Sequence, residues 1–538
     1  MPEFAPLAER IVDAILERSP GIAATAGDHR FDDRLPDLSA DAVAADVAML
    51  CDAANALAEV DLDALDVQEG VDHAVLSAIV DREIFERGEI REHEWNPLRH
   101  NPGRLLHGLI ARPFAPADVR LTALAARLAA VPDALATARA VLHDCPRLHV
   151  ETAVGQFAGA ATLIRDEVPG LLAEAPGLAR TVEPAATAAA AALDDFAGWL
   201  RDRALADGAG RDPRLGRRVW EGRLWHTLDT ELAARQVFDR AQANLDRVTA
   251  ELREAAAELA GGPATDETVR RAFDELAAQR PDDESIVALA KETLAETTEF
   301  VRANDLVTLP DDPCVIQVMP EFARGVAVAY CDPPGPLETA NVPTFYCIAP
   351  TPRTWTPERV ESFYREYNRH MLRDMTVHEA MPGHFLQLAH ARRFRGTTRA
   401  RALGFSGPFV EGWAVYAEEL MVAAGFGGLP VRLHQLKLQL RMTINAILDQ
   451  LVHGEGLSEA DGMALMTGRG FQEEGEAAGK WRRALLTSTQ LSTYFVGYVE
   501  VAAIAAARPA GMAPRAWHDA MLAHGSPPPR HLRTLLGV

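Results

Sequence analysis

Helical periodicity runs through most of this chain and is interrupted once. Before about residue 304 and after about residue 350, apolar residues recur at the spacing of amphipathic helices. Between these parts, the segments "CVIQVMP", "GVAVAYC" and "PTFYCIAP" are rich in β-branched and aromatic residues and are bounded by Pro, Gly and Asp, which is typical of short strands. The sequence therefore predicts a mainly α fold with a small β-sheet insert.

The chain has 538 residues, which exceeds what a single hydrophobic core organises. We predict four regions: an N-terminal helical subdomain over residues 1–215, a long-helix connecting region over 216–303, a small β region over 304–350 and a C-terminal helical subdomain over 351–538. The stretch "LADGAGRDPRLG" marks the first boundary. The residues that suggest chemistry fall almost entirely in the last region, which we predict to be catalytic.

The charge balance narrows the range of partners. The formal net charge is -23, and a surface this negative repels phosphate backbones. The sequence also offers no polybasic patch for anionic lipid. We therefore expect neither nucleic acid nor a membrane as a partner, and the sequence leaves the oligomeric state open.

Cysteine usage and the N-terminus bear on localisation. The cysteine count is odd, the spacing is scattered and no C-x-x-C motif occurs, which is typical of free thiols in a reducing compartment. The opening "MPEFAPLAERIVDAILERSP" has the pattern of an amphipathic helix and not that of a signal peptide. No stretch approaches the roughly 18 apolar residues of a membrane span. We predict a cytoplasmic protein.

The stretch "TVHEAMPGHFLQ", residues 376–387, departs from the metalloprotease pattern H-E-x-x-H. The second His follows six residues after His378, at His384, and Pro382 stands where the pattern has its His. On a regular helix six residues correspond to about 9 Å of rise and a rotation of roughly 120°, so the two imidazoles would not share a metal. Pro382 and Gly383 can bend the chain and return His384 toward His378. The alternative is a chance H-E pair with core histidines.

A further carboxylate stands in "GPFVEGWAVYAEELM". Glu411 lies near the start of an apolar helix, where a buried carboxylate needs a metal or a cation as a partner. Glu418 lies two turns later on the same face and is a second candidate.

Several motifs together resemble those of the bacterial family known as domain of unknown function 885. "HEAMPGHFLQ" is similar to its hallmark HExxPGHxxQ, and "EGWAVYAEEL" to its EGWAxYxExL. "LDQLVHGEGL" matches its DxxxH segment at Asp449 and His453, and "QLSTYFVG" matches QAxSYxxG at Gln490, Tyr494 and Gly497. With "GDHRFDDRLPDLS" near the N-terminus, the resemblance covers essentially the whole chain.

The resemblance implies a multi-helix, gluzincin-like architecture similar to thimet oligopeptidase, with a central cleft between two helical halves. It implies His378, His384 and Glu411 as ligands of one zinc ion and Glu379 as general base, although another divalent transition metal is not excluded. This chain departs from the family at Ser488-Thr489, at Phe385 and in "FYCIAP". We therefore expect its substrate preference to differ from that of the family.

Other polar residues are candidates for supporting roles. Tyr494, on a helix that also carries Gln490, is the first choice as donor to an oxyanion, and His453 is the alternative. Asp449 can pair with His453 one turn later, either in support of this role or as a plain structural hydrogen bond, and Asp374 can orient His378 or simply complement its helix. Arg441 and Arg483 can each bind a substrate carboxylate or form an ordinary ion pair.

Three hypotheses on function follow. The first is a zinc-dependent hydrolase of peptide or amide bonds, in which the segment "GVAVAYC" pairs as a strand edge with an extended peptide. The second keeps the metal but changes the substrate to a small amide-bearing metabolite in a biosynthetic pathway. The third is a non-catalytic helical binding scaffold, which the complete set of metal ligands disfavours.

Overall fold

A computed structural model describes residues 3–206, 210–319 and 328–538 of the chain. It is mainly helical with one three-stranded sheet, which confirms the predicted fold class at this level. Contacts divide the chain into two compact units that do not follow chain order. Unit 1 comprises Met1–Pro213, Pro334–Val342 and Gly396–Gly404, and unit 2 comprises the remainder.

Unit 1 contains the first nine α-helices: α1 (Phe4–Arg18), α2 (Pro20–Ala26), α3 (Ala40–Ala58), α4 (Val67–Phe85), α5 (Glu92–Trp95), α6 (Gly103–Ala111), α7 (Ala117–Val141), α8 (Arg147–Glu174) and α9 (Ala179–Ala206). Helices α7, α8 and α9 form its main core, in which Leu124, Phe157 and Phe196 are fully buried.

Helix α7 is long and apolar enough, by length and composition, to cross a membrane, which the sequence reading did not anticipate. One such helix is weak evidence for a span, because a core helix of a soluble protein has the same composition. Leu121, Leu124 and Leu128 of α7 are fully buried in the core of unit 1.

The motif "GDHRFDDRLPDLS" forms a polar cluster within unit 1. His29 contacts Asp32 through Nδ1 at 2.7 Å and Glu338 through Nε2 at 2.8 Å. Its ring stacks on Phe114, with ring centroids 3.7 Å apart. Burial opposes protonation of His29, but its hydrogen bonds to Asp32 and Glu338 raise its pKa to about 9. His29 is therefore a cation at neutral pH.

Unit 2 contains the next helices in chain order: α10 (Arg217–Leu228), α11 (Ala234–Ala260), α12 (Asp266–Ala277), α13 (Ile286–Ala303), α14 (Pro357–Glu366), α15 (Arg369–Glu379) and α16 (His384–Ala391). The short helix α17 (Ala400–Leu403) belongs to unit 1. Unit 2 then continues with α18 (Gly407–Ala423), α19 (Gly428–Gln450), α20 (Glu459–Ala464), α21 (Glu474–Leu486), α22 (Ser492–Ala506), α23 (Pro514–Leu522) and α24 (Pro529–Leu536).

The three predicted strand segments form one sheet in unit 2. Its strands are β1 (Cys314–Val318), β2 (Ala329–Asp332) and β3 (Thr344–Ile348), in the order β1-β3-β2. Strand β3 pairs in parallel with β1 and antiparallel with β2, so β1 and β2 are the edges. Residues 325–327 of the predicted strand "GVAVAYC" lie outside the described residues.

The sheet shares a core with the helices that carry the sequence motifs. Tyr346 of β3, Val377 of α15, and Phe409 and Trp413 of α18 are all fully buried in this core. The hydroxyl of Tyr346 lies 3.1 Å from that of Thr376, which ties the sheet to α15 directly. Burial of these large apolar side chains fixes α15 and α18 against one another.

Candidate metal centre

The motif "HEAMPGH" is divided between two helices and does not continue as one. Helix α15 ends at Glu379, and the backbone N–H groups of Ala380 and Met381 both donate to the carbonyl of Thr376. The Met381–Pro382 peptide is cis, and α16 begins at His384. The bend predicted from Pro382 and Gly383 is therefore observed as a break between α15 and α16.

Three contacts hold this break in place. The N–H of Gly383 donates to the carbonyl of Val377 at 2.9 Å, and a Cβ at position 383 would lie 1.9 Å from the carbonyl oxygen of His378. Only glycine fits so close to another backbone. The indole N–H of Trp413 donates to the carbonyl of Pro382 at 2.9 Å, which joins the break to α18.

The two imidazoles and the Glu411 carboxylate converge. Oε2 of Glu411 lies 3.6 Å from Nε2 of His378 and 3.4 Å from Nε2 of His384. One potential ligand atom from each residue lies within 4.8 Å of the others, and the His rings are nearly perpendicular at 85°. Two ligands held about 2.0–2.1 Å from one tetrahedral zinc ion are separated by roughly 3.3–3.5 Å, so this spacing fits a shared ion.

The polar atoms at the convergence also fit a cation. Glu411 Oε2 is buried and makes no hydrogen bond to a described residue. Burial opposes ionisation of Glu411, but the two nearby imidazoles hold its pKa well below its usual range. Two neutral imidazole nitrogens and one carboxylate oxygen form the ligand set of many catalytic zinc sites.

The outer nitrogen of His378 meets a carboxylate from α18. Nδ1 of His378 lies 2.6 Å from Oε1 of Glu418, which is itself fully buried. Asp374, predicted to orient His378, does not contact Nδ1, which is occupied by the carboxylate of Glu418 from α18. Both carboxylate oxygens of Asp374 are buried without a described partner, and burial together with the nearby Glu418 raises its pKa well above the usual value.

Glu379 is positioned by the sheet. The backbone N–H of Cys331, in edge strand β2, donates to Oε2 of Glu379 at 3.0 Å. Burial raises the pKa of Glu379 above its ordinary value, while the two nearby imidazoles and this N–H act in the opposite direction. The edge of β2 is therefore directed at the candidate base, although the part of "GVAVAYC" before Val328 is not described.

Tyr494 lies in a small polar cluster with Gln490 and Arg483. The Tyr494 oxygen accepts hydrogen bonds from Nη2 of Arg483 at 3.0 Å and from Nε2 of Gln490 at 3.1 Å. Nη2 of Arg483 also donates to Oε1 of Gln490 at 2.6 Å, and because Arg only donates, this contact fixes the orientation of the Gln amide. With its oxygen accepting twice, the hydroxyl of Tyr494 retains its proton for another acceptor.

His453 and Asp449 have a structural role instead. Nε2 of His453 lies 2.9 Å from the carbonyl oxygens of both Ala484 and Thr487, and Nδ1 accepts from the backbone N–H of Leu215. Both ring nitrogens of His453 are therefore occupied by backbone groups, which favours Tyr494, the first choice, over His453 as the predicted donor to an oxyanion.

The predicted hydrogen bond between Asp449 and His453 is also absent among the described contacts. Asp449 instead accepts from the N–H of Thr489 at 3.0 Å and from the hydroxyl of Ser492 at 2.6 Å. These bonds fix the turn at the start of α22, from which Gln490 and Tyr494 project.

Arg441 and Arg483 differ in their partners. Arg441 pairs with Glu476 and lies 3.7 Å from Glu366, so it forms the ordinary ion pair that was the alternative to substrate binding. Arg483 makes no ion pair with a described carboxylate, and its described side-chain hydrogen bonds go to the neutral groups of Gln490 and Tyr494. Burial opposes the charge on Arg483, but Tyr494 and the nearby Glu411 raise its pKa. Burial, together with Glu411, raises the pKa of Tyr494.

Comparisons with known proteins identify the family. The family described as bacterial protein of unknown function, DUF885, matches residues 20–536. The chain belongs to the DUF885 family. A search of curated proteins gave no match.

Solved structures similar to this DUF885 chain include two described as candidate lipoproteins. The one from Shewanella oneidensis, of unknown function, is 27% identical with a TM-score of 0.82, and the alignment covers 100% of both chains. The one from Colwellia psychrerythraea is 16% identical with a TM-score of 0.79, over 99% of this chain and 98% of that chain. The lipoprotein descriptions apply to those two proteins, and the cytoplasmic location stays a prediction.

A third structure is more distant. The M32 carboxypeptidase from Deinococcus radiodurans R1 aligns over 98% of this chain and 96% of that chain, at 11% identity and a TM-score of 0.32. A TM-score this low does not support a shared fold, so the gluzincin-like architecture and its cleft stay predictions.

Two glycines explain part of the DUF885 motifs EGW and YxxG. A Cβ at Gly412 would lie 2.3 Å from the carbonyl carbon of Gly497, and a Cβ at Gly497 would lie 1.9 Å from the carbonyl oxygen of Pro408. Helices α18 and α22 therefore touch backbone to backbone. Glu411 precedes one of these glycines and Tyr494 lies one turn before the other, so the close approach positions both side chains.

Two features near the site were not predicted from the sequence. The backbone N–H of Cys331 carries no side-chain signal, and only the spatial proximity of β2 to α15 reveals it. The burial of Lys480, which has 8% of its surface exposed, is the second feature. A lysine in a helix rich in charged residues is expected to be exposed to solvent.

Proposed function

We propose that this DUF885 protein is a zinc-dependent hydrolase of peptide or amide bonds. The observation that carries the proposal is the convergence of His378, His384 and Glu411, with their potential ligand atoms within 4.8 Å of one another. The adjacent residue Glu379, held by the N–H of Cys331, supplies a base beside this convergence.

Glu379 and Glu418 have different roles in the proposed reaction. When bound, a zinc ion supplies Lewis-acid polarisation of a carbonyl group and lowers the pKa of water. Glu379 takes a proton from the attacking water and returns it to the leaving nitrogen. Glu418 fixes the tautomer of His378, because its carboxylate accepts the proton on Nδ1 and leaves Nε2 free to bind a metal.

Tyr494 serves as the donor to the developing oxyanion. Arg483 and Gln490 both donate to its oxygen, which orients its proton away from them. A donor held by two neighbours needs little reorganisation when charge develops, which is how such groups lower a barrier.

The test is metal content with matched variants. We expect the purified protein to bind one equivalent of zinc, and His384→Ala and Glu411→Ala to lose it. His390→Ala is the control, because His390 lies on the same helix and contacts the carbonyl of Thr308 instead. A wild-type protein that takes up no stoichiometric metal after zinc is offered would favour the non-catalytic scaffold.

The rival hydrolase hypothesis concerns the substrate. The departures at Ser488-Thr489 and in "FYCIAP" favour a small amide-bearing metabolite over a general peptide. A screen of short peptides against acylated small molecules separates the two, since a metabolite hydrolase would leave the peptides intact.

A further inference from the structure

Lys480 is a largely buried amine with no hydrogen-bond partner among the described residues. It lies on α21 with 8% of its surface exposed, and it makes no hydrogen bond and no ion pair with any described residue. The carboxylate one turn before it, Glu476, is already taken by Arg441 and by the hydroxyl of Tyr367. Burying an amine that makes no hydrogen bond and no close ion pair is costly, so the position of Lys480 points to a partner outside the resting contacts.

Arg483 lies three residues after Lys480, on the same helix face. Its contacts with Gln490 and Tyr494 use Nη2 alone, and Nε and Nη1 donate to no described side chain. The guanidinium therefore retains several N–H donors in the planar arrangement that suits a carboxylate.

We propose that Lys480 and Arg483 form a subsite for a substrate carboxylate, specifically the free C-terminal carboxylate on the leaving side of the scissile bond. This inference rests on the proposed function and names the substrate class of the same site. Arg483 touches the hydroxyl of Tyr494 at 3.0 Å, so an anion on Arg483 lies about one residue length from an oxyanion on Tyr494. An unblocked peptide carries a carboxylate at that distance when its last peptide bond is the one cleaved, whereas a carboxylate on the acyl side requires a particular side chain.

The charges around Lys480 support this assignment. Burial, together with Arg483 and with Arg441 from α19, lowers the pKa of Lys480 to about 7, and Glu476 opposes this shift. From α14, the carboxylate of Glu366 is directed to Lys437 at 2.8 Å. A docked carboxylate would restore the protonated form of Lys480 and draw a proton from solution.

The test compares N-acetyl-phenylalanine with its amide as ligands of the zinc-loaded protein. We expect the acid to bind at least about 10-fold more tightly, since hydrogen bonds to charged groups are stronger than those between neutral groups. At pH 8, binding of the acid should take up close to one proton, measured by calorimetry in two buffers, because Lys480 is mostly neutral there. Lys480→Met and Arg483→Met should bring the acid-to-amide ratio toward one, and Lys480→Met should abolish the proton uptake.

Arg482→Met, an exposed neighbour on the same helix, is the matched control and should change neither quantity. Lys480→Arg keeps the charge and should keep the preference, which covers the case in which the Met variants fail to fold. Equal binding of acid and amide by the wild-type protein would overturn the subsite. Hydrolysis of hippuryl-phenylalanine is measured separately: an absence of turnover with the binding preference intact contradicts the proposed function alone.

Discussion

Nδ1 of His378 and Oε1 of Glu418 lie 2.6 Å apart, although the two residues stand on different helices. The contact assigns the proton of His378 to Nδ1 and directs Nε2 to the position where His384 and Glu411 converge. A carboxylate behind a metal-binding imidazole raises its basicity and fixes its ring.

Loss of this carboxylate should weaken metal binding. We expect Glu418→Ala to lower zinc affinity by about 10- to 100-fold, as the loss of such outer partners typically does. Competition with a chromophoric chelator measures the change. Glu419→Ala is the control, since the neighbouring carboxylate bonds Tyr498 instead; an equal loss in both variants would contradict the role of Glu418.

Substitution of Glu379, the proposed base, should separate zinc binding from turnover. Glu379→Gln keeps the shape of the side chain but removes the acceptor of the proton, so kcat should fall by about 10²–10⁴-fold. Zinc content should remain at the wild-type level, because Glu379 is not among the three converging residues. Hydrolysis at the wild-type rate in this variant would refute the assignment.

Tyr494 should act on the chemical step and not on substrate binding. For Tyr494→Phe we expect kcat to fall by about 10²–10³-fold with KM little changed, as for the loss of an oxyanion donor. Tyr498→Phe, one turn further along α22, removes a hydroxyl that bonds Glu419 and should leave kcat unchanged. A larger effect on KM than on kcat would assign Tyr494 to substrate binding.

Local sequence chemistry was enough to predict the break at Pro382 and Gly383 and the three strands. These features depend on which backbone conformations a residue permits. The partner of His378 was not predictable in this way: Asp374 is the nearer candidate along the chain, whereas Glu418 approaches from another helix through tertiary packing. The contacts of His453 were not predictable for the same reason, since the carbonyl groups that contact its ring are distant in sequence.

The contact between Gly412 and Gly497 predicts a stability effect. Gly497→Ala places a methyl group 1.9 Å from a backbone oxygen, so we expect α18 and α22 to separate and the protein to lose about 1–3 kcal/mol or more in the free energy of unfolding. Gly155→Ala on α8 is the control: nothing lies within 4 Å, and alanine should stabilise that helix by about 0.5–1 kcal/mol. Denaturant titration measures both changes.

His29 predicts a pH dependence of stability. Its folded pKa of about 9 exceeds the ordinary histidine value of 6.5, so its stabilising contribution is complete below pH 6.5 and is lost as pH rises through 9. The difference in the free energy of unfolding between the wild type and His29→Gln, measured by denaturant titration, should therefore shrink across this window from an upper limit of about 3 kcal/mol. The wild type is compared with the variant because the lowered pKa of Lys480 also makes stability depend on pH, in the opposite direction and over an overlapping pH range. This contribution is the same in both proteins and cancels in the comparison. A difference that stays constant with pH would contradict the ion pairs of His29.

The hydrogen bond from Trp413 to the carbonyl of Pro382 means that the bend is fastened by protein alone. The three residues proposed as zinc ligands are thus positioned by folding before any metal binds. A chelator should remove activity while leaving a folded chain that can be recharged. We therefore expect the amount of folded protein to be independent of metal, and the active fraction of it to depend on the supply of zinc.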